Sequence, residues 1–466
     1  MRDMSYQAVM SRRNDIMKAS VGLDYDLYES GSMAFDYESL MTASSHTLDE
    51  VMSIQSGFGV GNTPLIELKH ITDLARACSK PGKGARIFVK DEACNPSGSF
   101  KARRAALSVA MAKKLGYKGV VTATSGNYGA AVASCAAKAG LRCVVLQECF
   151  DSKGVGQPEI IEKARKCEAF GAEVMQLSVG PELFYVFLKI LEETSWFNAS
   201  LYTPYAILGI ETLGAEIAKQ FREKEGRDPD MVIATNAGGG NLTGTARGLK
   251  KLGCKVPVIA SSVNLQGLHM ASDSQFNQKS FTTGHTGFGI PFTSWPDRSD
   301  VPRSAARPLR YMDDYYILSQ GEVFFITEAL AQLEGMERGP AGNTSLAAAF
   351  SLSQDMDRDR CIIVQETEYT GAGKHHNAQL SFAASRGIDI RFGNPREEVP
   401  GRDIILPQTP ENIKAQPQNM NRLRSSLIRN ALKQHPGRPS QEDIRFLCQE
   451  TNADETFVRQ AIKEEQ

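Results

Sequence analysis

The sequence of 466 residues carries little net charge and lacks long apolar runs. Its formal net charge is −1 at pH 7, so it lacks the excess of positive charge that favours binding to nucleic acid or to an anionic membrane. No apolar stretch approaches the roughly 18 residues that cross a bilayer, and the polar start of the chain does not fit a signal peptide. These absences predict a protein that stays in the cytoplasm.

The nine cysteines stand apart from one another, and none of them belongs to a C-x-x-C pair. This spacing supports neither a zinc site nor a thioredoxin-like centre. A scattered, odd set of cysteines in a large chain is typical of reduced and mostly buried thiols. The sequence therefore predicts no bound metal.

Short apolar runs alternate with segments of helical pattern, such as Phe100–Leu115 and Gly129–Gly140. The chain is too long for one ordinary core, so two or more packed units are expected. Continuous apolar runs are typical of parallel strands covered on both faces, and the alternation predicts an α/β architecture built from βαβ units. The runs are Ala85–Lys90, Gly119–Thr124, Arg142–Leu146, Ala172–Leu177, Met231–Thr235, Pro257–Ser261 and Cys361–Gln365.

Both ends of the chain depart from this pattern. Residues 1–55 are polar and partly helical without strand signals, which predicts an arm packed on the core. Residues 394–410 are rich in proline and charge, as in a linker, and the helical pattern returns from Arg422. We therefore expect a helical appendage within 394–466 whose simplest role is a dimer or subunit contact.

A glycine-rich loop, residues 235–244, reads T-N-A-G-G-G-N-L-T-G and joins a predicted strand to a helix. Three glycines allow a tight turn that aims several N–H groups at one point, and the helix N-terminus adds partial positive charge. Such a loop favours a phosphate or another anion as its ligand. The loop matches neither the G-x-G-x-x-G nor the Walker pattern, which argues against NAD and ATP. A plain strand-to-helix turn is the alternative.

A second loop, residues 122–129, reads T-A-T-S-G-N-Y-G and also enters an alanine-rich helix. Its hydroxyls, amide side chain and N–H groups suit a carboxylate or a polar ring substituent. The alternative is helix capping by Ser125 or Asn127.

Lys101 follows the turn Asn95–Ser99 and stands at the start of a predicted helix. A positive helix end and partial burial both disfavour an ammonium group, and a neutral amine is what Schiff-base chemistry requires. A single lysine at a helix start is usually solvated. However, the two loops described above also lie at strand-to-helix ends, which gather at one crevice in open α/β sheets.

The ordered motifs N-P-S-G-S-F-K, T-S-G-N-x-G and G-G-G-N-L-T-G resemble those of pyridoxal-phosphate (PLP) enzymes of the tryptophan synthase β-type fold, or fold type II. Threonine synthase and cysteine synthase belong to this family. The resemblance implies two open, twisted α/β domains with PLP between them. It assigns residues 56–101 and 206–393 to a large PLP-binding domain, and residues 102–205 to a smaller inserted domain.

The resemblance also implies roles for individual residues. Lys101 would form the Schiff base with PLP, Asn127 would contact the ring hydroxyl of the cofactor, and Thr370 would face its pyridine nitrogen. The residues implied to hold the phosphate are Gly238, Gly239, Gly240, Asn241, Leu242 and Thr243. Those implied to hold the substrate carboxylate are Thr124, Ser125, Gly126, Asn127 and Tyr128.

Several residues near the motifs have open roles. Members of the family often have an acid after the lysine, whereas this chain has Ala102-Arg103-Arg104. Cys94 could carry an acetyl group, but a buried, inert cysteine is the simpler alternative. His375 and His376 could protonate intermediates or cap a helix. For Glu211 we expect a capping or solvated role.

Further stretches, Met10–Met17, Gln147–Pro158 and Ser178–Tyr185, resemble a thiolase subfamily of these enzymes. This resemblance implies cleavage of 2-amino-4-oxopentanoate by coenzyme A (CoA) to alanine and acetyl-CoA, in ornithine degradation. It also implies a smaller α subunit as partner and a homodimer of this chain within the heteromer. Removal of the Cα proton, with Lys101 as proton carrier, would connect PLP to the cleaved C3–C4 bond.

Two alternatives remain open from the sequence. The first is a threonine synthase-like lyase, or another enzyme of β-replacement or elimination, on the same scaffold. The second is a PLP-binding regulatory or scaffolding subunit. The presence of Lys101 and of the complete glycine-rich loop argues against the second alternative.

Overall fold

The structure, a computed structural model, describes residues 2–44, 46–124, 126–151, 153–180, 182–265, 280–282, 299–369 and 376–465. The strands in this part of the chain are β1 Glu29–Ser30, β2 Ala34–Phe35, β3 Leu65–Glu67, β4 Arg86–Asp91, β5 Gly119–Thr124, β6 Arg142–Phe150, β7 Glu173–Ser178, β8 Phe197–Asn198, β9 Met231–Thr235, β10 Val258–Val263, β11 Asp314–Leu318, β12 Cys361–Glu366, β13 Asp389–Gly393, β14 Asp403–Pro407 and β15 Gln416–Pro417.

The α-helices in the same residues are α1 Tyr6–Ser11, α2 Arg13–Val21, α3 Tyr37–Ala43, α4 Leu48–Gly57, α5 Lys69–Ala77, α6 Lys101–Lys114, α7 Asn127–Ala139, α8 Pro158–Ala169, α9 Glu182–Thr194, α10 Pro204–Glu225, α11 Gly240–Lys251, α12 Gln320–Glu334, α13 Pro340–Ser353, α14 His376–Ser385, α15 Met420–Gln434, α16 Gln441–Thr451 and α17 Glu455–Glu465. None of these helices is both long enough and apolar enough to cross a membrane.

Two main sheets carry the architecture. The larger has the order β15-β11-β10-β9-β12-β4-β3, with its central strands parallel and both edge strands antiparallel to their neighbours. The smaller has the order β7-β6-β5-β8, and all its pairs are parallel. All seven strands predicted from apolar runs are present, so the α/β prediction is confirmed. The division into domains at residues 101/102 and 205/206 stays a prediction.

The edge strand β7 contradicts the expectation that every apolar run is covered on both faces. Of its six residues only Val174 and Leu177 are partly buried, and the other four are exposed. The apolar content of this run resembles that of the central strands and therefore predicts a buried strand. Strand β7, however, lies at the edge of its sheet, so one of its two sides has no neighbouring strand.

Strands also occur where none was predicted. The N-terminal arm contains the hairpin β1–β2, in which Glu29 pairs with Phe35 and Ser30 with Ala34. The region expected to be a linker contains β14, which pairs with β13, and β15, which follows that region, adds an edge strand beside β11. Strands β1, β2 and β15 are two residues long, too short for a periodic sequence pattern, and β15 includes a proline, which edge strands tolerate.

The N-terminal arm and the C-terminal helices pack on each other and on the core of the same chain. The carboxylate of Asp443 accepts hydrogen bonds from the N–H groups of Met33 at 3.0 Å and Ala34 at 3.1 Å. Arg307, which is buried, pairs with Glu450 at 2.6 Å. The predicted helical appendage is therefore an integral part of this fold, and its role in dimer or subunit contact stays a prediction.

Helix α10 packs against α6, which begins at Lys101, and against α11, which begins in the glycine-rich loop. Gly209 of α10 lies against the backbone of Arg103 in α6, and Gly214 lies against the backbone of Thr245 in α11. A side chain at either glycine would overlap the facing backbone, so these helices approach closely only because the residues are glycines. The starts of α6 and α11 are thereby fixed relative to each other.

Glu211 strengthens the contact between α10 and α11. It is buried, its carboxylate accepts a hydrogen bond from Arg247 at 2.6 Å, and it also pairs with Lys251. The expectation of a capping or solvated role is therefore wrong. Because α10 begins at Pro204, Glu211 lies in its second turn, where it faces α11 and cannot cap the helix start.

Candidate functional site

The glycine-rich loop and the lysine-bearing loop leave the carboxyl ends of strands that flank β12. The order β9-β12-β4 places β12 between the strand before the glycine-rich loop and the strand before Lys101. The segment after β12 is hydrogen-bonded to the lysine loop: Phe100 N–H donates to Thr367 at 3.1 Å, and Tyr369 N–H donates to Gly98 at 2.8 Å. Three segments thus meet at one edge of the large sheet.

Lys101 is the first residue of α6 and is partly buried. Its amine lies 4.6 Å from the centre of the Phe100 ring. The N-cap residue Phe100 makes no side-chain cap, and the first N–H groups of the helix, those of Ala102 and Arg103, donate to the Ser99 and Phe100 carbonyls at 3.1 and 3.0 Å. Lys101 thus stands at a helix start, as the sequence predicted, and its role in binding an aldehyde stays a prediction.

The second loop is held by Thr124. The Thr124 hydroxyl accepts hydrogen bonds from the N–H groups of Gly126 at 2.9 Å and Gly129 at 3.2 Å, so Thr124 holds the turn that leads into α7. Asn127 begins α7 and is partly exposed, whereas the Tyr128 side chain is buried in the core. Tyr128 could therefore serve a carboxylate only through its backbone.

The glycine-rich loop turns sharply into α11. Gly239 adopts φ of 81°, a left-handed conformation that favours glycine, and α11 begins at Gly240. Side chains at Gly238 and Gly239 would overlap the Tyr202 hydroxyl and the Pro308 ring, respectively. The loop can therefore follow this path only with glycine at both positions.

Thr243 maintains the shape of this loop. Its N–H donates to the Gly239 carbonyl at 3.0 Å, its hydroxyl donates to the same carbonyl at 2.8 Å, and the hydroxyl accepts from Arg307 N–H at 3.0 Å. With these groups occupied, Thr243 is less suited to hold a phosphate than the sequence suggested. The N–H groups of Gly240, Asn241 and Leu242, in the first turn of α11, remain the best anion donors.

Asn241 independently indicates that a polar ligand binds here. The residue is 5% exposed, and neither polar atom of its amide has a hydrogen-bond partner within the described part of the chain. Burying an unpaired amide is unfavourable, so a ligand that bonds to it would stabilise the site. The amide lies in the first turn of α11, beside the N–H groups just named.

Arg103 has a structural role that its position after Lys101 did not reveal. It is fully buried and pairs with Glu92 at 2.7 Å and with Glu216 of α10 at 2.7 Å. Burial alone would lower the pKa of Arg103, but the two carboxylates raise it. Lys90 pairs with Glu216 as well, at 2.8 Å. This network fixes the helix that begins with Lys101.

Cys94 is exposed, which contradicts the expectation of a buried, inert residue. It ends a single helical turn, Glu92–Cys94, that carries it out of the sheet. Its thiol lies 3.2 Å from Asp91, and partial burial together with that carboxylate raises the pKa of Cys94. A raised pKa disfavours the thiolate that acyl transfer requires.

Two lysines of α8 reach the site loops and were missed in the sequence. Lys166 donates to the Ser97 carbonyl at 2.8 Å, in the turn before Lys101, and burial lowers the pKa of Lys166. Lys163 lies beside Gly126, pairs with Glu159 and lies 3.9 Å from Glu368. Their spacing of three residues on one helix face was the available signal. Ser125, Thr370 and His375 lie outside the described residues.

Comparison with known proteins gives a family match over most of the chain. The model of the family described as pyridoxal-phosphate dependent enzyme matches residues 57–366. The chain is 68% identical over 464 residues to the 2-amino-4-ketopentanoate thiolase beta subunit of Acetoanaerobium sticklandii, covering 99% of both chains. It is 60% identical to a second protein of that name, from an unknown prokaryotic organism, over 99% of this chain and 98% of the relative.

The fold also matches solved structures. Cysteine synthase from Entamoeba histolytica superimposes with a TM-score of 0.55 at 19% identity, covering 72% of this chain and 90% of that one. At this identity the match concerns the fold alone, and it agrees with the predicted fold type II architecture.

Proposed function

Because the chain belongs to the family of pyridoxal-phosphate dependent enzymes, we propose that it is the PLP-binding subunit of a 2-amino-4-ketopentanoate thiolase. 2-Amino-4-ketopentanoate and 2-amino-4-oxopentanoate are two names for the same compound. The observation that carries the proposal is the 68% identity to such a beta subunit over 99% of both chains. The match includes the arm and the C-terminal helices, which lie beyond the 57–366 family region.

The described residues fit PLP. The turn at Gly239 and the first-turn N–H groups of α11 form a cradle for a phosphate, and the unpartnered Asn241 amide lies in the same turn. Lys101 provides the primary amine for the cofactor aldehyde, at the neighbouring edge of the same sheet. When bound, PLP supplies an electron sink for bond breaking at Cα of an amino acid.

Around that cofactor we assign roles to the residues of this chain. The backbone of Asn127, in the turn that Thr124 holds through Gly126, would bind the substrate carboxylate, and the Asn127 amide would contact the ring hydroxyl of PLP. Ser125 would join the carboxylate site, and Thr370 would face the pyridine nitrogen. A proton-transfer role for His375 stays a prediction.

The reaction we propose is cleavage of the C3–C4 bond of 2-amino-4-ketopentanoate. The sulfur of CoA forms a bond to the C4 carbonyl carbon, the C3–C4 bond breaks, and C3 gains a proton. The products are acetyl-CoA and alanine, which together contain all atoms of the two substrates. Lys101 Nζ takes the Cα proton before cleavage, exchanges it with solvent and delivers a proton to Cα afterwards.

We further propose that activity requires a smaller α subunit. The name of the relatives, beta subunit, supports a partner of another kind. CoA would then bind partly on that partner, and this chain would form a homodimer within the heteromer.

The test is an assay of thiolysis with the purified chain, PLP, CoA and 2-amino-4-ketopentanoate, with and without the α subunit. We expect acetyl-CoA and alanine in equal amounts from the complex, and no turnover of phosphohomoserine. Turnover of phosphohomoserine alone would identify a threonine synthase-like lyase and refute the proposal. Absence of deuterium exchange at Cα during thiolysis in D₂O would refute the role of Lys101 as proton carrier.

A further inference from the structure

Arg104 is a buried cation that lacks a counter-charge in the described structure. The residue is 2% exposed, and its Nη1 donates to the Leu201 carbonyl at 3.0 Å. Its guanidinium lies 5.3 Å from the Phe100 ring centre, and its Nε finds no hydrogen-bond partner in the described ranges of the chain. Among the described residues, no carboxylate pairs with it. A buried charge without a partner is unfavourable, so an anion bound beside Arg104 would stabilise the folded protein.

The neighbouring Arg103 makes this arrangement unusual. Both side chains are buried on the same helix, but Arg103 pairs with the carboxylates of Glu92 and Glu216. For Arg104, burial lowers the pKa to about 10, and the nearby Tyr202 and Tyr128 offset this only in part. Arg104 therefore keeps its charge at neutral pH without the compensation that Arg103 receives.

The position of Arg104 indicates which anion it would bind. Its guanidinium lies against the first turn of α11: a Cβ placed on Gly240 would lie 2.5 Å from Nη2. The same turn contains the free helix N–H groups and the unpartnered amide of Asn241. A fixed positive charge and several N–H donors thus converge on one point, as at other phosphate sites.

The spacing between Lys101 and Arg104 in the sequence also fits a phosphate bound at the first turn of α11. Arg104 follows Lys101 by three residues, so the two lie on the same face of α6, with a rise of about 4.5 Å between them. Both cations contact the ring of Phe100, at 4.6 Å for Lys101 and 5.3 Å for Arg104. PLP carries its aldehyde and its phosphate arm on adjacent ring carbons, which matches a lysine and an arginine one turn apart.

We propose that Arg104 forms a charge-assisted contact with the phosphate of PLP and is a main determinant of affinity for the phosphorylated cofactor. The proposal deepens the proposed function, since it rests on the glycine-rich loop holding that phosphate. Arg104 neutralises the phosphate charge, which the N–H groups of a helix N-terminus only partly offset. In return, the phosphate provides the counter-charge that the buried guanidinium lacks.

The experiment compares PLP with pyridoxal, which lacks the phosphate, in titrations of the apoprotein followed by visible absorbance. In Arg104→Met we expect the dissociation constant for PLP to rise roughly 10- to 150-fold, the range for a hydrogen bond to a charged group. The constant for pyridoxal should change less than about threefold. Lys250→Met, which removes an exposed cation from the other end of α11, should change neither constant.

Arg104→Lys provides a second test that keeps the charge, in case Arg104→Met does not fold. It should weaken PLP binding less than Arg104→Met, while pyridoxal binding is again nearly unchanged. Equal losses for PLP and pyridoxal in the folded variants would overturn the proposal, because they indicate a purely structural arginine. Unchanged binding of PLP would overturn it as well. If the wild-type chain bound no PLP at all, the proposed function itself would fail.

Discussion

Replacement of Glu216 by glutamine tests the buried network that holds the helix of Lys101. Glu216 accepts hydrogen bonds from Arg103 at 2.9 and 2.7 Å, from Lys90 at 2.8 Å and from Asn62 N–H at 2.8 Å. Burial alone would raise the pKa of Glu216, but Arg103 and then Lys90 lower it to about 2 from 4.5. The carboxylate is therefore strongly favoured in the folded state.

The magnitude follows from this pKa. At about 1.36 kcal/mol per pKa unit, a value of about 2 in place of 4.5 corresponds to roughly 3 kcal/mol of stability at pH 7. Removing one partner from a buried ion pair costs about 3–5 kcal/mol, which agrees. Because one kcal/mol corresponds to about 2 °C in a large chain, we expect Tm to fall by about 6–10 °C.

The pH dependence of the Tm loss tests the role of the Glu216 carboxylate more specifically than the loss at pH 7 alone. A lowered carboxylate pKa contributes stability above 4.5, and that contribution disappears as pH falls from 4.5 towards 2. The Tm difference between wild type and Glu216→Gln should thus be largest near pH 7 and shrink below pH 4.5. Glu223→Gln, an exposed change on the same helix, is the matched control and should leave Tm within 1 °C, or about 0.5 kcal/mol. A Tm loss below about 2 °C at pH 7, or one independent of pH, would refute this account of the network.

Two further predictions concern the site. Gly239→Ala forces alanine into a left-handed conformation against the Pro308 ring; strain of about 1–2 kcal/mol should weaken PLP binding about 5- to 30-fold in an absorbance titration. Binding within twofold of wild type would show that the loop does not hold the cofactor. Cys94→Ala should retain turnover within about twofold, because the raised pKa of this exposed thiol disfavours the thiolate; a hundredfold loss of acetyl-CoA formation would restore Cys94 as an acyl carrier.

The parts of the fold with local sequence signals were predictable. The central strands have continuous apolar runs, and the glycine-rich loop has its turn and helix start within ten residues of sequence. The strand β15 and the hairpin β1–β2 were missed because they are two residues long and depend on the surfaces on which they pack. Propensity contributes little to such short strands.

The electrostatic partners in the site could not be predicted, because they come from distant parts of the chain. Arg103 and Arg104 are adjacent and chemically identical, yet only the fold gives one of them two carboxylates and leaves the other beside the glycine-rich loop. The contact of Lys166 with the turn before Lys101 likewise depends on the position of α8. The exposure of Cys94 depends on one helical turn after β4.

The most direct test of the central claim is the PLP dependence of thiolysis by the complex of this chain with its α subunit. The account predicts that CoA and 2-amino-4-ketopentanoate give acetyl-CoA and alanine in equal amounts when PLP is bound. It also predicts that Lys101→Ala abolishes both the turnover and the visible absorbance of bound PLP. Thiolysis that persists in Lys101→Ala, or in the complex freed of PLP, would contradict the account.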